Sequence, residues 1–431
     1  MYIETIYKAF LACNGLTTDS RNCPQNSMFV ALKGETFNGN AFAAKALEAG
    51  CAFAVIDEAC YAQPNDERYL LVEDCLKALQ QLANLHRRTL GTRIIGITGT
   101  NGKTTTKELM AAVLSKQFNI LYTQGNLNNQ IGVPLTLLKL RPEHQLAVIE
   151  MGASHPGDIQ ELVEIAEPDC GLITNVGKAH LQGFGSFEGV IRTKGELFDF
   201  LRTRPDAFIF LHDDNPYLKE IAQGLKAIHY GSQSGLFVSG KSTANSPFLA
   251  FEWQADGETH QVQTQLIGDY NLPNALVAVT VGRYFGVPDE LICEALSQYA
   301  PQNNRSQLKQ TDRNTLIIDA YNANPSSMQV SIENFHRMQA ADKLLILGDM
   351  RELGDDSAAE HQKVVDQLIA FGFTEVFLVG EYFGATQHPF RSFADAPSLI
   401  ETLQAEQPQG KTILIKGSNG IRLFSIVEYL S

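Results

Sequence analysis

Short apolar runs alternate with longer stretches of helical period along most of the chain. "SMFVAL" (27–32), "CAFAVID" (51–57) and "RYLLVED" (68–74) are rich in Val, Leu and Phe and read as strands. Between the first two, "AFAAKALEAG" carries a helical pattern that Gly50 is placed to close. "LKALQQLANLHRRTL" repeats apolar residues at Leu76, Leu79, Leu82, Ala83 and Leu85, which predicts a helix ending near Gly91. Residues 1–91 therefore read as a small α/β unit.

The pattern changes after Gly91. "RIIGIT" (93–98), "LAVIEMG" (146–152) and "CGLITNVG" (170–177) are apolar throughout, as expected of central strands in a parallel sheet covered on both faces. "AFIFLH" (207–212) adds a further strand. "PFLAFEWQ" and "THQVQTQL" predict an antiparallel pair, and a helix is expected over 273–285. The polar "PQNNRSQ" (301–307) marks a boundary, giving a central unit over 92–300. Beyond it, "TLIIDA", "KLLILGD", "EVFLVG" and "TILIKGS" are four strand candidates separated by helix-length segments, the spacing of a Rossmann-like α/β unit over 301–431. The fold class is α/β with three domains, which agrees with 431 residues at roughly 150 per domain.

A net charge of −14 argues against a broad nucleic-acid or membrane surface, since both favour basic patches. No stretch offers the ~18 uninterrupted apolar residues of a membrane span, and the N-terminus lacks the pattern of a signal peptide. The seven cysteines are scattered, without a C-x-x-C pair or zinc-ligand spacing, and read as reduced thiols of a cytoplasmic protein.

"GITGTNGKTTTKE" (96–108) nearly spells the phosphate-binding pattern G-x-x-x-x-G-K-[ST]. Gly102, Lys103 and Thr104 fit its end, but Ile97 stands where the first glycine belongs. The context is right: "IIGIT" supplies a buried strand, and "TTTKELMAAVLSKQ" a helix whose N-terminus favours anions. Gly99 and Gly102 permit close approach, Lys103 can reach β- and γ-phosphates, and the Thr104 hydroxyl can hold Mg²⁺. Glu150, at the end of "LAVIE", adds a hard oxygen donor. The competing reading is a glycine-rich turn carrying a surface lysine.

"GTNGKTTTKE" resembles the loop of the Mur ligase and folylpolyglutamate synthetase family, which carries T-G-T-N-G-K-T, so Ile97 is no defect on that reading. The resemblance continues through "GNLNNQIGVPLTLL" (125–138), "EMGASHPGDI" (150–159), "TNVGKAHLQGFGSFEGVIRTKGEL" (174–197), "GDYNLPNALVA" (268–278), "DAYNANPSSM" (319–328), "LGDMRELG" (347–354) and "KGSNG" (416–420). "TDSRNCPQNSMFVALKGETFNGNAF" (18–42) is similar to the uridine-diphosphate-binding start of these enzymes. Within the family, "YNANPSSM", "EMGASHPGDI" and "GNLNNQIGVP" resemble the members that join UDP-N-acetylmuramoyl-tripeptide to D-alanyl-D-alanine. The D-N-P-R motif of the diamino-acid-adding relatives is missing.

The resemblance implies an ATP-dependent amide ligase of peptidoglycan precursor synthesis. A carboxylate is a poor electrophile, so γ-phosphoryl transfer first makes an acyl phosphate, which an amine then attacks. Gly99, Thr100, Asn101, Gly102, Lys103, Thr104 and Thr105 would take the phosphates. Asn274 would lie on the adenine side, Arg305 would reach phosphate, and Asp319 would bind ribose. Mg²⁺ would bind at Thr104 and Glu150, and a second ion at His180 and Lys194. The resemblance implies a carbamylated Lys194, because an ammonium would repel the metal. Tyr321, Asn322 and Asn324 would face the reacting ends and the incoming dipeptide. Alternatively these asparagines simply form turns and caps. Ser20 and Arg21 would meet the uridine nucleotide, with His155 and Arg192 near the substrate. The sequence departs from the family at Tyr270, where histidine is usual, at Asn38 and Asn40, where D-G-H is common, and at Ser154, where asparagine is common. The expectation is a monomer with small-molecule substrates only, whose domains close on ATP and the UDP-substrate. A sibling ligase adding another amino acid and a nucleotide-dependent regulator are the competing readings.

Overall fold

The computed structural model describes residues 3–244, 247–301, 305–340 and 342–431. The expected boundary "PQNNRSQ" falls partly on residues 302–304, and the first expected unit begins at Met1. Both places lie outside the described residues.

Three sheets follow one another along the chain. The first holds β1 (Gly15–Thr17), β2 (Ser27–Val30), β3 (Phe53–Ile56) and β4 (Tyr69–Leu71), all parallel and in chain order. The helix Cys75–Leu90 leaves this sheet. Asp74 caps its start by accepting from Lys77 N, and Gly91 closes it in the left-handed conformation at φ +66°.

The second sheet has nine strands: β5 (Arg93–Thr98), β6 (Ile120–Tyr122), β7 (Leu146–Glu150), β8 (Cys170–Ile173), β9 (Phe208–His212), β10 (Ala227–Gly231), β11 (Val238–Ala244), β12 (Phe248–Ala255) and β13 (Glu258–Ile267). Their spatial order is β13-β12-β11-β10-β9-β8-β5-β7-β6. The strands from β6 to β11 pair in parallel, and β11, β12 and β13 turn antiparallel. Strand β5 is buried on both faces: Ile94 joins one core cluster, while Ile95 and Ile97 join another. That double burial explains its continuous apolar run. The third sheet comprises β14 (Gln307–Gln310), β15 (Thr315–Asp319), β16 (Lys343–Gly348), β17 (Val376–Val379), β18 (Arg391–Phe393) and β19 (Thr412–Lys416), in the order β14-β15-β19-β16-β17-β18.

The three sheets are tied together. One apolar cluster runs from the first sheet into the second. Arg87 donates to the carbonyls of Ala166 (2.8 Å) and Glu167, and Asn84 donates to Ile165 O at 2.9 Å. These side chains occupy carbonyls that the helix Asp158–Ala166 leaves open at its C-terminus. The third sheet's unit meets the second through Arg337, paired with Asp269 at 3.0 and 3.1 Å.

The predicted strands are present, but six others were not anticipated. β1, β6, β14 and β18 are sheet edges of three or four residues with little burial: β1, β14 and β18 mix polar and apolar residues, and the apolar β6 is only three residues long. β10 and β11 are interior, yet "AIHYG" and "VSGKSTA" mix polar and apolar residues without a clear period.

Candidate active site

The chain leaves β5 at Thr98, turns through Gly99 to Gly102, and enters the helix Lys103–Leu114. Both glycines are needed here. Gly99 sits at φ +142°, and a Cβ on it would lie 2.0 Å from Thr174 Oγ1. Gly102 sits at φ +78°, and its Cβ would lie 2.7 Å from Asn274 Oδ1. Ile97, by contrast, is wholly buried within β5 and packs in the core. The strand runs through position 97, so a glycine there would be a cavity and no part of a turn.

The loop is pinned from behind by the segment after β8. Thr100 N donates to Asn175 O (2.9 Å), Asn101 N donates to Asn175 Oδ1 (3.0 Å), and Thr174 Oγ1 donates to Asn101 O (2.6 Å). Lys103 Nζ folds back on the Gly99 and Thr100 carbonyls at 2.6 and 3.1 Å. Burial pushes this ammonium down to about 8. Glu150 opposes that shift and Arg305 adds to it.

Thr104 Oγ1 lies 3.1 and 3.3 Å from the two Glu150 carboxylate oxygens. Glu150 is 1% exposed and also accepts from Asn128 Nδ2 at 2.9 Å. Lys107, fully buried on the same helix, places its Nζ 3.9 Å from Glu150 and 3.0 Å from Glu108. A hydroxyl and a carboxylate converge at the helix N-terminus, which is a donor set suited to a hard divalent cation.

A cavity of about 680 Å³ opens in front of the loop. It brings together Thr100, Asn101, Gly102, Lys103, Thr105, Glu150, His180, Asn274, Arg305, Asp319, Tyr321 and Asn322. Asn274 is held by Asn271 and Thr106, each at 3.0 Å. The Arg305 guanidinium stacks over the Tyr321 ring at 3.8 Å. Asp319 pairs with Lys416 and accepts from Ser306 N at 3.3 Å. Tyr270 lines the same wall and shares a hydrogen bond with Ser306 Oγ at 2.8 Å.

Asn324 caps a helix and also reaches across to the central unit. Its Oδ1 accepts from Ser327 N, forming a capping box at the start of the helix Pro325–Arg337, and its Nδ2 donates to Asn101 Oδ1 at 2.8 Å. The third unit thus touches the phosphate loop directly. Lys178 N donating to Ser326 Oγ at 3.1 Å adds a second contact.

Other expected residues do not line the cavity. Lys194 is 2% exposed on the helix Phe187–Arg202, with its Nζ 3.4 Å from Ala153 O and 5.1 Å from the Phe184 ring. Burial, reinforced by Lys103, pushes its ammonium well below the ordinary value. Arg192 is exposed on the same helix. His155 is exposed beside Ser154 Oγ at 3.1 Å. Ser20 and Arg21 belong to the first unit, where Arg21 turns back onto Asp19 at 2.9 Å. Asn128, Asn175, Lys107 and Lys416 were not singled out as site residues. All four lie within the motifs that carry the resemblance, but polarity alone does not distinguish the asparagines from turn formers or the lysines from surface charges.

Sequence patterns of known domains match along the chain: the Mur ligase family, catalytic domain over residues 13–87; the Mur ligase middle domain over 97–282; and the Mur ligase, glutamate ligase domain over 304–419. The UDP-N-acetylmuramoyl-tripeptide–D-alanyl-D-alanine ligase of Bacillus subtilis (strain 168) is 35% identical over 439 aligned positions, covering 97% of this chain and 93% of that protein. The ligase of the same description from Escherichia coli (strain K12) is 35% identical, with 98% and 94% covered. Among solved structures, MurF from Acinetobacter baumannii superposes with a TM-score of 0.87 at 30% identity, covering 99% of this chain and 98% of that one. MurF ligase from Thermotoga maritima in complex with ADP gives 0.86 at 26% identity, with 98% and 97% covered.

Proposed function

The chain belongs to the Mur ligase family, and from that premise we propose that it is the ATP-dependent ligase joining UDP-N-acetylmuramoyl-tripeptide to D-alanyl-D-alanine in peptidoglycan precursor synthesis. The observation that carries the chemistry is the phosphate loop backed by Glu150 and faced by Asn324 from a different unit.

The reaction needs two reactants and ATP held in line with most water removed. Backbone N–H groups of Gly99 to Thr104 would cradle the phosphates, and Lys103 would exchange its two carbonyl partners for phosphate oxygens. The shift of its ammonium to about 8 leaves it mostly charged at neutral pH, and phosphate contact would favour the charged form further. The tripeptide carboxylate would attack the γ-phosphorus, forming an acyl phosphate and ADP. The dipeptide amine would then attack the acyl carbon and expel phosphate, so that one C–N bond replaces one C–O bond.

Thr104 and Glu150 would hold Mg²⁺, and the oxygen donors already face one another. A bound magnesium ion supplies charge neutralisation for crowded phosphate and carboxylate oxygens. His180 and a carbamylated Lys194 would hold a second ion. The buried, low-pKa amine of Lys194 supports that reading, because only a neutral amine adds carbon dioxide, releasing one proton as the carbamate forms. Asn274 would serve the adenine side, Arg305 the phosphates and Asp319 the ribose. Tyr321, Asn322 and Asn324 would meet the dipeptide. Ser20, Arg21, His155 and Arg192 would meet the UDP-substrate once the units close.

We assign residues 1–91 to UDP-substrate binding, 92–300 to ATP binding and 301–431 to a C-terminal Rossmann-like ligase domain. Among the described residues, no helix is long and apolar enough to cross a membrane. A cytoplasmic monomer that binds neither nucleic acid nor membrane completes the reading.

The test is product release from purified protein supplied with ATP, Mg²⁺ and UDP-N-acetylmuramoyl-tripeptide across a panel of amines. Phosphate and ADP should appear with D-alanyl-D-alanine. Equal release with L-alanyl-L-alanine or glutamate would refute the assigned amine. Full activity of Lys194→Ala, with or without bicarbonate, would refute the carbamate.

A further inference from the structure

His180 is a residue of the central unit, but its ring meets a side chain of the third. Its Nδ1 contacts the carboxylate of Glu352, within "LGDMRELG". The two loops dock on each other through more than this pair. Gln182 N donates to Glu352 O at 3.3 Å, and a Cβ on Gly354 would lie 3.4 Å from the Gln182 side chain.

Both partners hold unusual backbone. His180 has φ +49° and Glu352 has φ +64°, the left-handed region that residues with a Cβ avoid at a cost of about 1–2 kcal/mol each. Neither position is glycine. The fold therefore keeps a side chain at two sites where glycine would relieve strain. Outliers of this kind gather where a side chain must be aimed.

We propose that Glu352 is a positioning residue for His180: it fixes the imidazole with Nδ1 protonated, so that Nε2 is the nitrogen left to bind the second divalent cation. This rests on the assignment of His180 to that cation. A metal-bound histidine usually gives its other ring N–H to a carboxylate or carbonyl, which sets both tautomer and ring orientation. Here the carboxylate belongs to another unit. The second cation site is therefore complete only while Glu352 reaches it from the third unit.

The test uses the full chain with ADP and the muramoyl-tripeptide, and Mn²⁺ as a paramagnetic substitute for Mg²⁺, titrated by electron paramagnetic resonance. Glu352 is well exposed, so its substitution leaves the core intact. Glu352→Ala should weaken the His180-dependent Mn²⁺ site about 10- to 100-fold while leaving the Thr104-dependent site unchanged. Glu352→Gln, whose amide oxygen still accepts from Nδ1, should lose far less. In turnover, Glu352→Ala should lower kcat with little change in KM for ATP. Arg337→Ala, which breaks a different contact between the same two units, should leave both Mn²⁺ affinities within about twofold.

An unchanged His180-dependent site in Glu352→Ala would overturn the proposal. So would an equal loss in Arg337→Ala, since the effect would then be docking alone. If His180→Ala itself leaves both sites intact, the assignment of His180 falls, and the positioning role falls with it. A loss in His180→Ala without one in Glu352→Ala removes only the role of Glu352.

Discussion

Replacing Gly99 with alanine tests the geometry of the loop without replacing a polar side chain. The new Cβ would lie 2.0 Å from Thr174 Oγ1 and 3.0 Å from Thr174 N, at φ +142°. The backbone strain alone is worth about 1–3 kcal/mol. Turning the Thr174 hydroxyl away removes its 2.6 Å hydrogen bond to Asn101 O, a further cost of about 1 kcal/mol. Thr174 N is main chain and has little room to retreat. The total is about 3 kcal/mol, which for a unit of this size lowers Tm by about 6–12 °C. Scanning calorimetry would read the stability, and calorimetric titration with ADP would read the loop. The variant should bind ADP much more weakly, because Asn101 and Lys103 follow the displaced backbone. Thr174→Ala removes the hydroxyl that the new Cβ overlaps. The double variant should be more stable than the sum of the two single losses by about 1 kcal/mol or more. A Tm within about 2 °C of the parent, or strictly additive losses, would refute this account of the loop.

Ile97→Gly restores the commoner glycine spacing, yet it should cost about 3–5 kcal/mol in thermal stability with no gain in ADP affinity, because the side chain is fully buried in β5. Asn324→Ala should cost about 1 kcal/mol through the lost helix cap and also lower kcat. Asn324→Ser keeps the cap but is too short to reach Asn101, so steady-state kinetics should show the kcat loss with stability nearly restored. Arg88 holds the Glu167 carboxyl below its ordinary value, helped by Arg87 and Arg204. A depressed carboxylate stabilises the fold above its unfolded pKa of about 4.3 and loses that contribution as pH falls through the lower folded value. Urea unfolding of Arg88→Ala should therefore show a shallower loss of stability below that pH than the parent, and an unchanged slope would refute the pairing. Thr104→Val should weaken metal-dependent ADP binding, read by titration with and without Mg²⁺, while leaving metal-free binding close to the parent.

The sequence alone determined the elements that are buried on both faces. β5, β7, β8, β16 and β19 announce themselves as unbroken apolar runs, because a strand covered above and below has no polar side to show. It also marked the strand–loop–helix of the candidate phosphate site, since that pattern is local: Gly99, Gly102, Lys103 and Thr104 lie within six residues. The end of an apolar strand added Glu150, and family resemblance extended the expectation to His180 and Lys194. Edge strands such as β14 and β18 stayed hidden, because their partners on one side are solvent and their composition need not be apolar.

Only the tertiary structure decided which distant residues act together. Asn101 and Asn324 stand 223 positions apart and meet at 2.8 Å, and Glu352 reaches His180 from a separate sheet. It also decided what Ile97 is. Whether that position belongs to a strand or a turn depends on where β5 stops, and β5 stops at Thr98 because β7 pairs with it up to Ile97 and β8 up to Thr98. Neighbours in sequence constrain dihedrals and periodicity. Encounters between units depend on how the three units pack, and no single stretch of chain carries that information.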